Sequence, residues 1–459
     1  GQAAGQAPAP APALPTAASR VVLVPAERPP AAQLLAPDDA DARPDFISYA
    51  FLLRGALDVA RAQAAFQRLV NANPQLAGEL DLVKEPLPRG VIRFDRQFGC
   101  PFLAKPLAEN LEPTLEAVSG EAYAEECPAF QRALRLLGVM DVHANGYVQH
   151  WPTCSLSCIV GPRISVLGFS LCHIVGDRTM YFELLRRLQQ EYDSPGSTKR
   201  LPPREALWPF AKGLRLVRPG PLWELRGGLT TLLETLAVVL RCAKRRQPPK
   251  KDMSNPHIVV AYATGEALER LRAREFPGRG AKDAASFTLE EAFATWASRA
   301  MDAENLNLYV DVRGLVEGVP PDAAGNGARL LHFPRPLRGW SALRLHDTLE
   351  AIGPEPRVDL PMPIFPYEPK ASRVSHYPKN FHWPSFGGCE AFRAIPGEGT
   401  VDPIMHALWQ IRPEDQGRVA THRLGNERDA KLLAEAWASL GVKAKVYSIA
   451  AFAAEVAAR

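Results

Sequence analysis

Two residues of this chain, His173 and Asp177, combine type and spacing in a way that suits proton transfer. An imidazole titrates near pH ~6.5 when unperturbed, so a neutral histidine takes the proton from a hydroxyl as that oxygen forms a new bond, an effect of roughly 10²- to 10⁴-fold. Asp177 stands four residues further on, where a carboxylate either caps a helix or turns inward toward a cation. Cys172 adjoins His173 and invites a covalent route instead. Neighbouring strand residues point to opposite faces, however, so the thiol and the imidazole are not expected to cooperate.

The elements that must hold His173 are a strand and the helix after it. From Ile164 to Cys172 the residues are apolar or small at every alternating position, the pattern of a strand buried on both sides. From Thr179 the spacing turns helical, with Tyr181, Phe182, Leu184, Leu185 and Leu188 on one side and Arg186, Arg187, Gln190 and Glu191 on the other. Gly161-Pro162 predicts a tight turn after a strand over 147–159, so that a hairpin delivers His173. Upstream, ISYAFLLRG reads as the first folded element, followed by a helix over 56–71 with Leu57, Ala60, Ala64, Phe66, Leu69 and Val70 as core positions. Residues 91–107 alternate as paired strands. In the second half, HIVVAYATGEALERLRAR predicts a strand, an N-capping Thr264 and a helix with Leu268 and Leu271 inward. A further helix over 286–301 turns Phe287, Leu289, Ala292, Phe293 and Trp296 to the core, and 306–312 reads as a buried strand.

Composition narrows the class. A length of 459 residues exceeds one ordinary core and predicts two domains, and 46% hydrophobic with 23% charged residues predicts a soluble globular protein. A formal charge of +4 is small for this length and argues against nucleic acid as a partner. The seven cysteines are odd in number and scattered, which predicts reduced thiols and an intracellular, cytoplasmic protein, with an organelle such as a plastid left open. Cys154 and Cys158 have no second Cys or His pair at zinc spacing, so no metal site is expected. Of the first 20 residues 12 are Ala or Pro, which predicts a disordered or processed leader. Residues 194–256 are rich in Pro, Gly and basic residues around one apolar helix, Leu229 to Leu240. With Trp208 and Trp223 nearby, peripheral contact with a membrane surface is a possible role for it.

With its flanks, HIVGD resembles the HxxxD motif of the BAHD acyltransferases and, more distantly, the condensation domains of peptide synthetases and chloramphenicol acetyltransferase. NPQLAGELDLV and GCPFLAKPLA are similar to that family's opening segments, and SFTLEEAFATWASRAM to its helix "ssfevltA..Wrar.rA". Asp311-Val312-Arg313, followed by Pro320-Pro321 and Gly325-Asn326, resembles "vDvR.rl.Pplp..yfGN", the most specific of the secondary motifs. The likeness covers about residues 45–440. It implies an α/β protein of two chloramphenicol acetyltransferase-like domains, each a mixed sheet flanked by helices, with an active-site tunnel between them. The boundaries would be a leader over 1–40, a first domain over 41–193, a crossover over 194–256 and a second domain over 257–459.

The resemblance also implies a reaction: acyl transfer from acyl-coenzyme A to a hydroxyl, less readily an amine, of a small molecule, with His173 as general base. It implies no permanently bound cofactor, acyl-CoA as co-substrate, and a monomer. Asp177 would be structural and paired with Arg313. For the oxyanion the candidates are Ser385 and Trp383, and for the coenzyme A phosphates Lys244, Arg245 and Arg246, within a run carrying six basic residues in eleven. Two departures stand out. Arg178 replaces the glycine usual after the motif aspartate, and Ser385-Phe386-Gly387-Gly388-Cys389 stands where the family has DFGWG. Two further readings stay open: a condensation-type catalyst on carrier-protein thioesters, weakened by Cys172 where a second histidine is typical, and a non-catalytic structural or ligand-binding subunit on the same fold.

Overall fold

The computed structural model describes residues 20–27, 32–34, 46–83, 89–93, 99–137, 153–173, 175–197, 201, 255–277, 288–311, 313, 322–325, 327–334, 338–352, 371–374, 381–397 and 405–457. The strands in chain order are β1 (Arg20–Val24), β2 (Ala32–Leu34), β3 (Phe46–Arg54), β4 (Glu79–Val83), β5 (Arg89–Arg93), β6 (Cys100–Pro106), β7 (Cys154–Val160), β8 (Ile164–Cys172), β9 (His257–Ala263), β10 (Asn305–Asp311), β11 (Ala328–Pro334), β12 (Ala371–Val374), β13 (Ser385–Phe386), β14 (Cys389–Pro396), β15 (Met405–Trp409), β16 (Arg418–Leu424) and β17 (Ala444–Ser448). The helices are α1 (Val59–Ala72), α2 (Glu112–Glu116), α3 (Gly120–Leu136), α4 (Arg178–Asp193), α5 (Gly265–Glu275), α6 (Leu289–Ala300), α7 (Ala342–Ile352), α8 (Glu427–Ala438) and α9 (Ile449–Ala457).

Two mixed sheets of seven strands carry the fold, in the orders β1-β6-β7-β8-β3-β14-β13 and β11-β10-β12-β15-β16-β9-β17, with a small β2-β5-β4 sheet beside them. All nine residues of β8 are buried, because β7 and β3 pair with it on either side and apolar layers cover both its faces. Helix α4 returns over this sheet, where the Tyr181 hydroxyl donates to the Phe169 carbonyl at 2.9 Å. The second sheet turns Leu306, Leu308, Val374, Leu408 and Ala420 toward α5, α6 and α8. Its other face, with Ile258, Val260, Ala407, Trp409 and Val419, joins the core of the first half.

Each half takes in a piece of the other. Strand β14, from the second half, lies antiparallel to β3 in the first sheet. Helix α3, from the first half, lies on β9 and β16. At its first residue a Cβ on Gly120 would meet the Tyr262 ring at 2.1 Å, so only glycine lets the helix approach this closely.

Several expectations change. Residues 20–24, inside the expected leader, form β1 and pair with β6, because the run Val21-Val22-Leu23-Val24 has the β-branched pattern of a strand that an Ala/Pro count over the first twenty residues conceals. Helix α1 begins at Val59 under an Asp58 cap, so Ala62 and Ala65 are buried while Ala60 and Ala64 face out. Strands β5 and β6 do not pair with each other but enter different sheets. On α4, Arg187 and Glu191 are buried rather than solvated: Arg187 meets Glu183 at 2.6 Å, and Glu191 meets Arg68 at 2.7 Å.

Candidate active site

Strand β8 ends at Cys172, and His173 begins a tight turn in which Val175 and Gly176 both donate backbone hydrogen bonds to the Cys172 carbonyl. The His173 side chain is partly exposed, whereas Cys172 is buried. Asp177 then caps α4, accepting from the Met180 N–H at 3.1 Å.

The same Asp177 carboxylate meets Arg313 face to face, with Arg313 Nη1 2.9 Å from Oδ2 and Nη2 2.9 Å from Oδ1. Gly327 N–H adds a fourth donor at 2.7 Å. That approach requires glycine, because a Cβ at Gly327 would lie 2.6 Å from the Arg313 guanidinium carbon. Both side chains are buried. Burial by itself would raise the Asp177 pKa, but the charge and hydrogen bonds of Arg313 outweigh it and hold the carboxyl below its usual value. Arg313 also donates to the carbonyls of Ala323, at 2.8 Å, and Gly325. Its Nη1 reaches Asp311 at 3.1 Å, and the Asp311 Oδ2 accepts from the Thr179 hydroxyl at 2.5 Å.

Arg178 reaches the second sheet as well, with its guanidinium carbon 4.5 Å from the centre of the Trp409 ring. Asp311 and Trp409 are the last residues of β10 and β15, which run parallel through β12. The start of α4, five residues past His173, is therefore docked at the carboxyl ends of parallel strands, where open α/β sheets leave room for ligands. The Arg178–Trp409 contact has no local signal, since nothing near residue 409 points to residue 178.

Of the residues expected at the site, the structure brings together Asp177 and Arg313 beside the His173 turn. It does not bring Ser385 there. Ser385 pairs with Glu390 in the β13–β14 hairpin, and β14 enters the first sheet with Ala391 opposite Leu53, which is opposite Ser165. Ser165 is seven residues back along β8 from Cys172, about 23 Å at the rise of a strand. The Ser385 N–H accordingly meets Gln189, in the last turns of α4, at 3.0 Å. Trp383 packs against Phe381 with ring centres 5.1 Å apart, within an aromatic cluster that includes Phe182 and Tyr49. Lys244, Arg245 and Arg246 lie outside the described residues. Cys154 and Cys158 are buried on β7. Among the described residues no helix is long and apolar enough to cross a membrane.

No protein-family model and no curated protein sequence matches the chain. Solved structures do. The structure of TRI101 from F. sporotrichioides, complexed with coenzyme A and T-2, matches with a TM-score of 0.60 at 14% identity, over 90% of this chain and 99% of that one. Vinorine synthase matches at 0.58 and 14% identity, over 92% and 97%. Polyketide synthase associated protein 5 from Mycobacterium tuberculosis matches at 0.53 and 13%, over 89% and 96%. The chain thus has the two-domain, chloramphenicol acetyltransferase-like fold of these structures, with a mixed sheet and flanking helices in each half.

Proposed function

We propose that the protein is an acyl-coenzyme A-dependent acyltransferase in which His173 is the general base and a hydroxylated small molecule the acceptor. The observation that carries this reading is the mounting of the His173 turn: it leaves a fully buried strand of the first sheet and is held against the second sheet by the Asp177–Arg313 pair. The turn is thereby fixed between the two halves, on a fold whose solved members include TRI101 complexed with coenzyme A and T-2. In the proposed reaction the acceptor oxygen attacks the thioester carbonyl while its proton passes to His173. The carbon–sulfur bond then breaks, and the proton leaves with the thiolate. Asp177 touches no substrate in this scheme. Its engagement by Arg313 holds the backbone of the turn in place, and a rigid mount is what a positioned base requires.

The test is acyl transfer from acetyl-coenzyme A, read as release of free thiol and as mass gain in a panel of hydroxylated acceptors. Wild-type turnover that His173→Ala abolishes supports the proposal. Wild-type protein that binds acetyl-coenzyme A but acylates no alcohol or amine in the panel speaks for a ligand-binding subunit instead.

A further inference from the structure

At the far end of the first sheet from His173, two guanidinium groups lie over one aromatic ring, and a third lies close enough to act on them through space. Arg54 closes β3, and its guanidinium carbon lies 4.7 Å from the centre of the Phe392 ring. Arg393 approaches the same ring at 4.9 Å. Consecutive residues of a regular strand would point to opposite faces, but the pairing of β14 with β3 slips here, with Ala391 opposite Leu53 and Arg393 opposite Leu52. Phe392 is therefore the extra residue of a bulge, a device that re-aims side chains and is over-represented beside functional sites. The third group, Arg412, follows β15 and is brought in by the hydrogen bond from Ala394 N–H to the Ile411 carbonyl at 2.9 Å.

Among the described residues no carboxylate lies within ion-pair distance of the three guanidinium groups, and Arg412 Nε is buried without a hydrogen-bond partner. Arg393, itself buried, donates Nε to the Val118 carbonyl and Nη1 to the Phe392 carbonyl, neither of which is charged. Burial, and then the charges of Arg412 and Arg54, push the Arg393 pKa down to about 10. Glu414 and Asp415 act on it only through space, and both Asp415 oxygens are engaged by the Tyr262 hydroxyl, at 2.8 and 2.9 Å. Like charges gathered with one buried donor unused are costly in the empty protein, and an anion relieves that cost.

We propose that Arg54, Arg393 and Arg412 form a binding site for a phosphate-class anion. One guanidinium saturates a carboxylate, whereas the three oxygens of a phosphoryl group take fork-like donors from several arginines at once. Arg54 is paired with Ile164, eight residues along β8 from Cys172, so the site lies about 26 Å from the end of that strand and is separate from the His173 turn. The phosphate belongs either to the acyl donor or to an independent ligand.

The experiment is calorimetric titration of the full chain with inorganic pyrophosphate at low ionic strength. Wild-type protein should show one saturable site. Arg54→Gln and Arg412→Gln should each raise the dissociation constant on the order of tenfold, with melting temperatures that confirm folding, while the remote control Arg270→Gln leaves it unchanged. Repeating the titration with coenzyme A present identifies the source. Competition assigns the phosphate to the acyl donor, and simultaneous binding assigns it to a separate ligand. Absence of saturable binding to the wild type, or affinity equal in both variants and wild type, overturns the proposal. The readout is binding, so it stands or falls apart from any role of His173.

Discussion

The Asp177 carboxylate and the Arg313 guanidinium meet through two parallel hydrogen bonds of 2.9 Å across 136 residues of chain, both side chains withdrawn from water. Removing one partner strands the other as an uncompensated buried charge, at a cost of about 3–5 kcal/mol. Asp177→Ala and Arg313→Ala should each lose about that much stability in denaturant unfolding, and the double variant less than the sum. Strictly additive losses would show that the two do not act as a pair.

The pair also predicts an acid limit. Asp177 has a folded pKa below its unfolded value, so its contribution is fully present above the unfolded value of about 3.9. Below that the unfolded chain takes up the proton first, and the contribution disappears as pH falls through the lower folded value. Asp177→Asn should flatten the stability profile below about pH 4 relative to wild type.

Gly327 offers a test that leaves both charges in place. A methyl group there collides with the Arg313 guanidinium carbon and displaces the N–H that donates to Asp177. Gly327→Ala should therefore destabilise in the same direction as Arg313→Ala, and by no more than it, measured by the same unfolding experiment.

A second acid sensitivity lies in the core of the second half. The Trp437 indole N–H donates to His422 Nε2 at 2.8 Å, which puts the His422 proton on Nδ1, facing His406 Nδ1 at 2.8 Å. Burial pushes the His406 pKa down to about 3, and it also holds that of His422 well below its ordinary value, with His406 as a lesser cause. A depressed folded pKa means that the unfolded state binds the proton first. Stability is then full above pH ~6.5 and falls below it by up to about 1.4 kcal/mol per pH unit for each histidine. The melting temperature should drop between pH 7 and pH 5, and His406→Leu should reduce that drop.

Ser385 lies a sheet length from Cys172, so Ser385→Ala should leave acyl transfer within about twofold of wild type, whereas loss of an oxyanion donor costs roughly 10²- to 10³-fold. A hundredfold loss with unchanged stability would return Ser385 to the reaction.

The parts of this molecule legible in its sequence are those with local signals. The unbroken apolar run of β8, the helical spacing of Tyr181 to Leu188 and the Thr264 cap each follow from a few neighbouring residues, and the structure forms them. The meeting of Asp177 with Arg313 was suggested by likeness to a family motif rather than by spacing, since nothing in either segment specifies the other. The places that escaped are long-range. Strand β14 reads as part of the second half but pairs with β3, more than 330 residues earlier. That crossing carries Ser385 away from His173 and gathers Arg54 and Arg393 over Phe392, with Arg412 nearby. Arg187 and Glu191 look solvated on a helical wheel and are buried because each finds an opposite charge on a separate part of the fold or along the helix.

The most direct test of the account is the acyl-transfer rate of His173→Ala at saturating acetyl-coenzyme A, with circular dichroism and melting temperature confirming a wild-type fold. Removing a positioned general base should lower the rate roughly 10²- to 10⁴-fold while leaving coenzyme A affinity intact. A folded His173→Ala protein that transfers acyl groups at the wild-type rate would contradict the assignment of His173 as the proton acceptor.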